Sequence, residues 1–66
     1  MNINATRIEL LRAEQGMTNA TLAERCGMSR QNISTIVRRG TCNPLTAAKL
    51  ARGLGVPVTD IIKGGE

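Results

Sequence analysis

Apolar residues recur along this chain at helical spacing, and strand-like alternation is not evident anywhere. Ile8 and Leu11, then Leu22, Ala23 and Cys26, then Ile33, Ile36 and Val37 fall on successive helical faces. Ala47, Leu50, Ala51 and Leu54 form an i, i+3, i+4, i+7 stripe. Both ends of each stripe are marked. Asn4, Thr18, Ser29 and Asn43 stand where an N-cap side chain accepts from the first free backbone N–H groups, and Pro44 sits at a first helical position. Each cap is bracketed by a possible hydrophobic staple: Ile3 with Ile8, Met17 with Leu22, Met28 with Ile33 and, more weakly, Cys42 with Ala47. Gly16, Gly27, Gly40 and Gly55 follow the stripes, where a left-handed residue closes a helix. These signals predict helices over 5–15, 19–26, 30–39 and 44–54, with a short fifth over 58–63. The expected fold is one all-α domain over residues 1–63, ending in a disordered 64–66. Val56, Val58, Ile61 and Ile62 are left over, some to close the core and the rest to face a second subunit.

Length and composition narrow the chemistry. Sixty-six residues make one small domain with little surface to bury, which suits a locally connected bundle of short helices. Phe, Tyr, Trp and His are all absent, so the core is aliphatic and the commonest acid/base and metal ligand is missing. The acids Glu9, Glu14, Glu24, Asp60 and Glu66 form no motif with a nucleophile. Cys26 and Cys42 lack metal-ligand spacing and read as reduced thiols, Cys26 on an inward face where cysteine is inert packing. An enzyme is therefore disfavoured, and neither a cofactor, a metal nor a small-molecule ligand is expected. No apolar run approaches the ~20 residues of a membrane span, and the N-terminus lacks the apolar block of a signal peptide. A cytoplasmic protein is the expectation.

Charge changes the picture more. Of a net +4, residues 25–59 hold Arg25, Arg30, Arg38, Arg39, Lys49 and Arg52 with no acid at all. A contiguous cationic region points to a polyanion, and nucleic acid is favoured over a membrane because no long cationic amphipathic helix with bulky anchors is present. A solvated basic surface would produce the same composition, so the pattern within that region has to decide.

Thr18 to Val37 read as two short helices joined by Gly27-Met28-Ser29. A small Ala23, a glycine four residues later, and Ile33 and Ile36 six and nine beyond that glycine make the spacing of a helix-turn-helix. On the helix over 30–39, about 100° per residue with Ile33, Ile36 and Val37 inward turns Gln31, Thr35 and Arg38 most directly outward. Arg30, Asn32, Ser34 and Arg39 flank them. Gln and Asn can pair with adenine, Arg with guanine, and a Thr methyl can touch a thymine methyl, whereas a carboxylate there would repel phosphates. Arg30, Gln31, Asn32 and Thr35 are therefore the candidate base contacts. Ser34 and Arg38 are candidates for the sugar-phosphate backbone. Thr18 and Asn19 open the preceding helix, whose free N–H groups and dipole suit a phosphate. Thr18, Ser29 and Asn43 are expected as caps whatever the function.

With the segments LLRAEQGMTNATLAERCGMSRQNIS and TAAKLARGLGVPVTDII, the chain resembles the Xre family of small bacterial and phage regulators, which includes phage repressors and Cro proteins. The resemblance covers nearly the whole chain. It implies a compact five-helix DNA-binding domain of the phage-repressor type, whose third helix enters the major groove of double-stranded DNA. It also places Arg39, Thr41 and Asn43 in a connection that contacts the DNA backbone. Family members read paired half-sites, which implies a homodimer on a pseudo-palindromic operator, with Val58, Ile61 and Ile62 as the candidate interface. A free-standing domain of this size is expected to be a Cro-like repressor. The pattern departs at Asn19, where the family often has glutamine, and at Val37, where it often has the glutamate that pairs with the arginine matched here by Arg12. One extra residue also precedes Gly40. Arg12 is expected to be partly buried and structural, either donating to a backbone carbonyl or a more distant carboxylate or keeping its charge solvated. The rival reading is an antitoxin-like or adaptor module that uses the same fold to bind protein.

Overall fold

The computed structural model describes residues 1–63, so the disordered end expected at 64–66 lies outside the described residues. Four α-helices run in order: α1, Ala5–Glu14; α2, Asn19–Cys26; α3, Arg30–Arg39; and α4, Pro44–Leu54. Each begins where its cap lies. Asn4 Oδ1 accepts from Arg7 N at 3.0 Å, Thr18 Oγ1 from Thr21 N at 3.2 Å, Ser29 Oγ from Asn32 N at 3.1 Å and Asn43 Oδ1 from Thr46 N at 2.8 Å. Every cap therefore satisfies one of the backbone donors that a helix start leaves free.

Gly27 takes φ 71° and turns the chain between α2 and α3, while Met28 N reaches back to Ala23 O at 3.0 Å. A side chain with a Cβ adopts that left-handed geometry at a cost, so glycine fixes the short break of the motif. α2 packs against both α3 and α4. Ile8, Leu22, Ile33, Leu50, Leu54 and Ile61 form the fully buried centre. No helix among the described residues is long and apolar enough to cross a membrane.

The fifth helix expected over 58–63 is instead a single 3-10 turn, Val58–Asp60. The chain then extends, and Ile62 forms an antiparallel bridge with Ile3. Asn4 N donates to Ile61 O at 2.7 Å and Lys63 N to Asn2 O at 3.0 Å. On its other side the N-terminal segment bridges the connection after α3, with Ile3 N donating to Gly40 O at 2.9 Å and Cys42 N to Met1 O at 3.1 Å. A helix of six residues would bear the full nucleation cost for few bonds, whereas pairing with the N-terminal segment satisfies the same backbone groups. It also corrects the expected subunit interface. Ile61 is 0 % exposed in the core and cannot face a partner, while Val58 and Ile62 are half-buried.

Candidate nucleic-acid interface

α3 divides cleanly into two faces. Ile33 and Ile36 are buried and Val37 is half-buried, whereas Arg30, Gln31, Asn32, Ser34, Arg38 and Arg39 are exposed. Thr35 is half-buried, and its Oγ1 donates to Gln31 O at 3.0 Å. With the hydroxyl proton engaged within the helix, the side chain has its methyl group and the acceptor lone pairs of Oγ1 left to offer. The outer face thus offers a guanidinium at its start, two amides and a methyl along it, and two guanidinium groups at its end.

Clefts flank this face on both sides. One, of about 240 Å³, lies between α3 and the first two helices and brings Asn19, Ser34 and Arg38 together with Arg12 and Glu9. The other, of about 220 Å³, brings Asn32, Thr35 and Arg39 together with Thr41 and Asn43 from the connection to α4. The candidate backbone residues are therefore split between the two sides of α3. Thr18 lines neither cleft; its Oγ1 lies 3.2 Å from Thr21 Oγ1 as well as capping α2. Asn43 uses Oδ1 as a cap, which leaves its amide N–H₂ as the donor available to an anion. Thr46 joins the second cleft although no sequence signal singled it out. It follows the α4 cap by three residues, the reach of one helical turn.

Arg12 is half-buried and its Nη1 donates to Met17 O at 2.8 Å, so the partner left open by Val37 is a backbone carbonyl. Met17 directly precedes the α2 cap, so this bond ties α1 to the start of the helix-turn-helix. A second tie was not legible as such: Gln15 Nε2 donates to Leu54 O at 2.6 Å, holding the end of α1 on the end of α4. Replacing Arg12 by alanine should lower stability by about 1–2 kcal/mol in chemical denaturation, while the folded protein keeps its DNA affinity. An unchanged melting temperature with abolished DNA binding would reverse that assignment.

The thiols add no reactive centre. Burial pushes the Cys26 thiol up, offset in part by a backbone hydrogen bond from Gly53. Burial also raises Cys42, against a smaller opposing effect of the Met1 ammonium, whose nitrogen donates to Cys42 O at 2.7 Å. Both are free cysteines. Neither is poised as a thiolate at neutral pH.

A family model described as helix-turn-helix matches residues 8–61, from the first core residue of α1 to the buried Ile61. Comparison with curated proteins returned no match. The match spans well over half of the chain and contains all of α2, the glycine turn and α3. By that match, and with a capped two-helix unit that turns an acid-free face outward, the chain belongs to the Xre-type helix-turn-helix family of DNA-binding domains.

Proposed function

We propose that this chain is a sequence-specific regulator of the Cro-like repressor type, which inserts α3 into the major groove of double-stranded DNA as a homodimer. The observation that carries the reading is the outer face of α3: six exposed polar side chains, three of them arginine, with no carboxylate among them. Arg30, Gln31, Asn32 and Thr35 have the donors, acceptors and methyl that base edges require. Asn19, Ser34 and Arg38 on one side, and Arg39, Thr41 and Asn43 on the other, are suited to hold the two backbones that border a groove. Thr18 acts there through the α2 start that it caps. Val58 and Ile62 remain as the apolar pair available to a second copy.

The protein-only reading has less to support it. The large exposed apolar side chains are Met1, Leu10 and Leu45, and none lies on α3. Selection of bound duplexes from a random pool tests the proposal. The expected product is a pseudo-palindrome whose half-site centres lie about one helical turn, ~34 Å, apart, with two chains per duplex by sedimentation. One chain per duplex on a single half-site would remove the homodimer. No enrichment over a charge-matched control would favour the protein-binding module.

A further inference from the structure

A third cleft, of about 440 Å³, opens between the N-terminal segment and the end of α3, lined among others by Asn2, Thr6, Arg39, Thr41 and Lys63. It shares Arg39 and Thr41 with the cleft on the loop side of α3, so it continues the proposed interface past the connection to α4. Its described lining holds two cations and no acid. The frame is already built. Lys63 N donates to Asn2 O at 3.0 Å and Ile3 N to Gly40 O at 2.9 Å, so the N-terminal segment ties the wall that carries Lys63 to the wall that carries Arg39 and Thr41.

We infer that this cleft holds a further stretch of DNA sugar-phosphate backbone, with Lys63 as a phosphate contact outside the helix-turn-helix. The inference rests on the proposed DNA binding and extends its footprint. A DNA strand presents one charge every ~3.4 Å along the helix axis. A strand held at Thr41 and Asn43 therefore carries its next phosphates alongside whatever surface adjoins them. That surface is cationic, and its main chain is tied by the Lys63–Asn2 and Ile3–Gly40 hydrogen bonds, which lowers the backbone ordering entropy that opposes the contact. Sequence spacing places residue 63 at the end of a fifth helix, remote from any motif; the extended pairing with Asn2 brings it into a cleft that Arg39 also lines.

The test is the salt dependence of duplex affinity for the full chain carrying Lys63→Gln, which keeps the backbone bond to Asn2. We expect an unchanged melting temperature, weaker binding to every duplex alike, and a log affinity against log salt slope shallower by roughly one unit for each chain bound. Lys63→Arg should restore the slope. Lys49→Gln, an exposed cation that lines none of the three clefts, should leave it as it is. A Lys63→Gln slope equal to that of a DNA-binding wild type would overturn the inference, as would an equal loss in Lys49→Gln. Saturable binding of inorganic phosphate to the cleft at low millimolar concentration, with no slope change, would assign it to a free anion and also overturn it. If the wild type binds no duplex, the DNA reading itself fails and this extension with it.

Discussion

Replacing Gly53 by leucine should leave the protein unfolded at room temperature, and replacing it by alanine should already lower its melting temperature. Gly53 is buried on α4 where that helix crosses α2. A Cβ built there overlaps Cys26 Sγ and lies 3.2 Å from Cys26 N and 3.3 Å from its Cα. The sulfur is itself enclosed, so it has little room to swing away, and the backbone atoms can yield only if α2 and α4 separate. In an exposed helix, glycine to alanine gains up to ~1 kcal/mol in propensity. Overpacking a tight core costs about 1–3 kcal/mol, and here the second effect is expected to win. A net loss of about 1–2 kcal/mol corresponds to roughly 5–15 °C in a domain of this size. Leucine adds three more carbons to the same contact, and a small domain has few kcal/mol in reserve. Combining Gly53→Ala with Cys26→Ala removes the overlapping sulfur and should recover part of the loss, leaving the tight contacts with the Cys26 backbone. Thermal unfolding of these variants checks this, and a Gly53→Ala protein that melts above the wild type would show that the crossing is looser than these distances imply.

The second large effect is expected on α3, where Gln31→Ala and Arg39→Ala should fail in different ways. Gln31 is exposed near the start of the helix and central on its outer face. If it pairs with a base, its removal should cost ~1–3 kcal/mol on the selected site and relax preference at one base pair of each half-site. Binding to unrelated duplex should hardly change. Arg39 lies at the last position of α3 and lines both clefts beside the connection to α4. Its removal should weaken all sequences alike and make the salt dependence shallower by about one unit for each phosphate that the shortened side chain no longer neutralises. Titration of both variants on the selected site and on unrelated duplex, across a salt series, separates the roles. Unchanged base preference in Gln31→Ala removes it from the readers. An unchanged slope in Arg39→Ala removes its phosphate role.

The starts of all four helices and the bounds of α2, α3 and α4 were legible in the chain, because both signals that set them are local. A cap side chain reaches a backbone N–H three residues on, and a glycine closes the helix through its own φ, so neither needs the rest of the molecule. The faces of α2, α3 and α4 followed from spacing for the same reason: a helix fixes the angular place of every residue on it. α1 ends one residue earlier than expected, at Glu14, with Gln15 as its cap.

What the sequence by itself determined was thus the helices α1 to α4, the inward stripes and the polar, acid-free face of α3. Only the tertiary structure decided the rest. The last apolar residues, Val58 to Ile62, are compatible in sequence with a helix, and whether they pair with the N-terminus depends on where that terminus lies in space. Ile61, a candidate interface residue among the leftover apolar positions, is buried beside that pairing, and the pairing places Lys63 in a cleft that Arg39 also lines. The partner of Arg12 is likewise a carbonyl set by the turn after α1, and main-chain acceptors carry no residue-type signature. Gly53 stands outside the apolar stripe of α4 and carries no signal in the sequence until α2 is laid across it. In each case the deciding interaction joins groups distant along the chain or main-chain atoms common to every residue, and such interactions are fixed by packing geometry, not by local pattern.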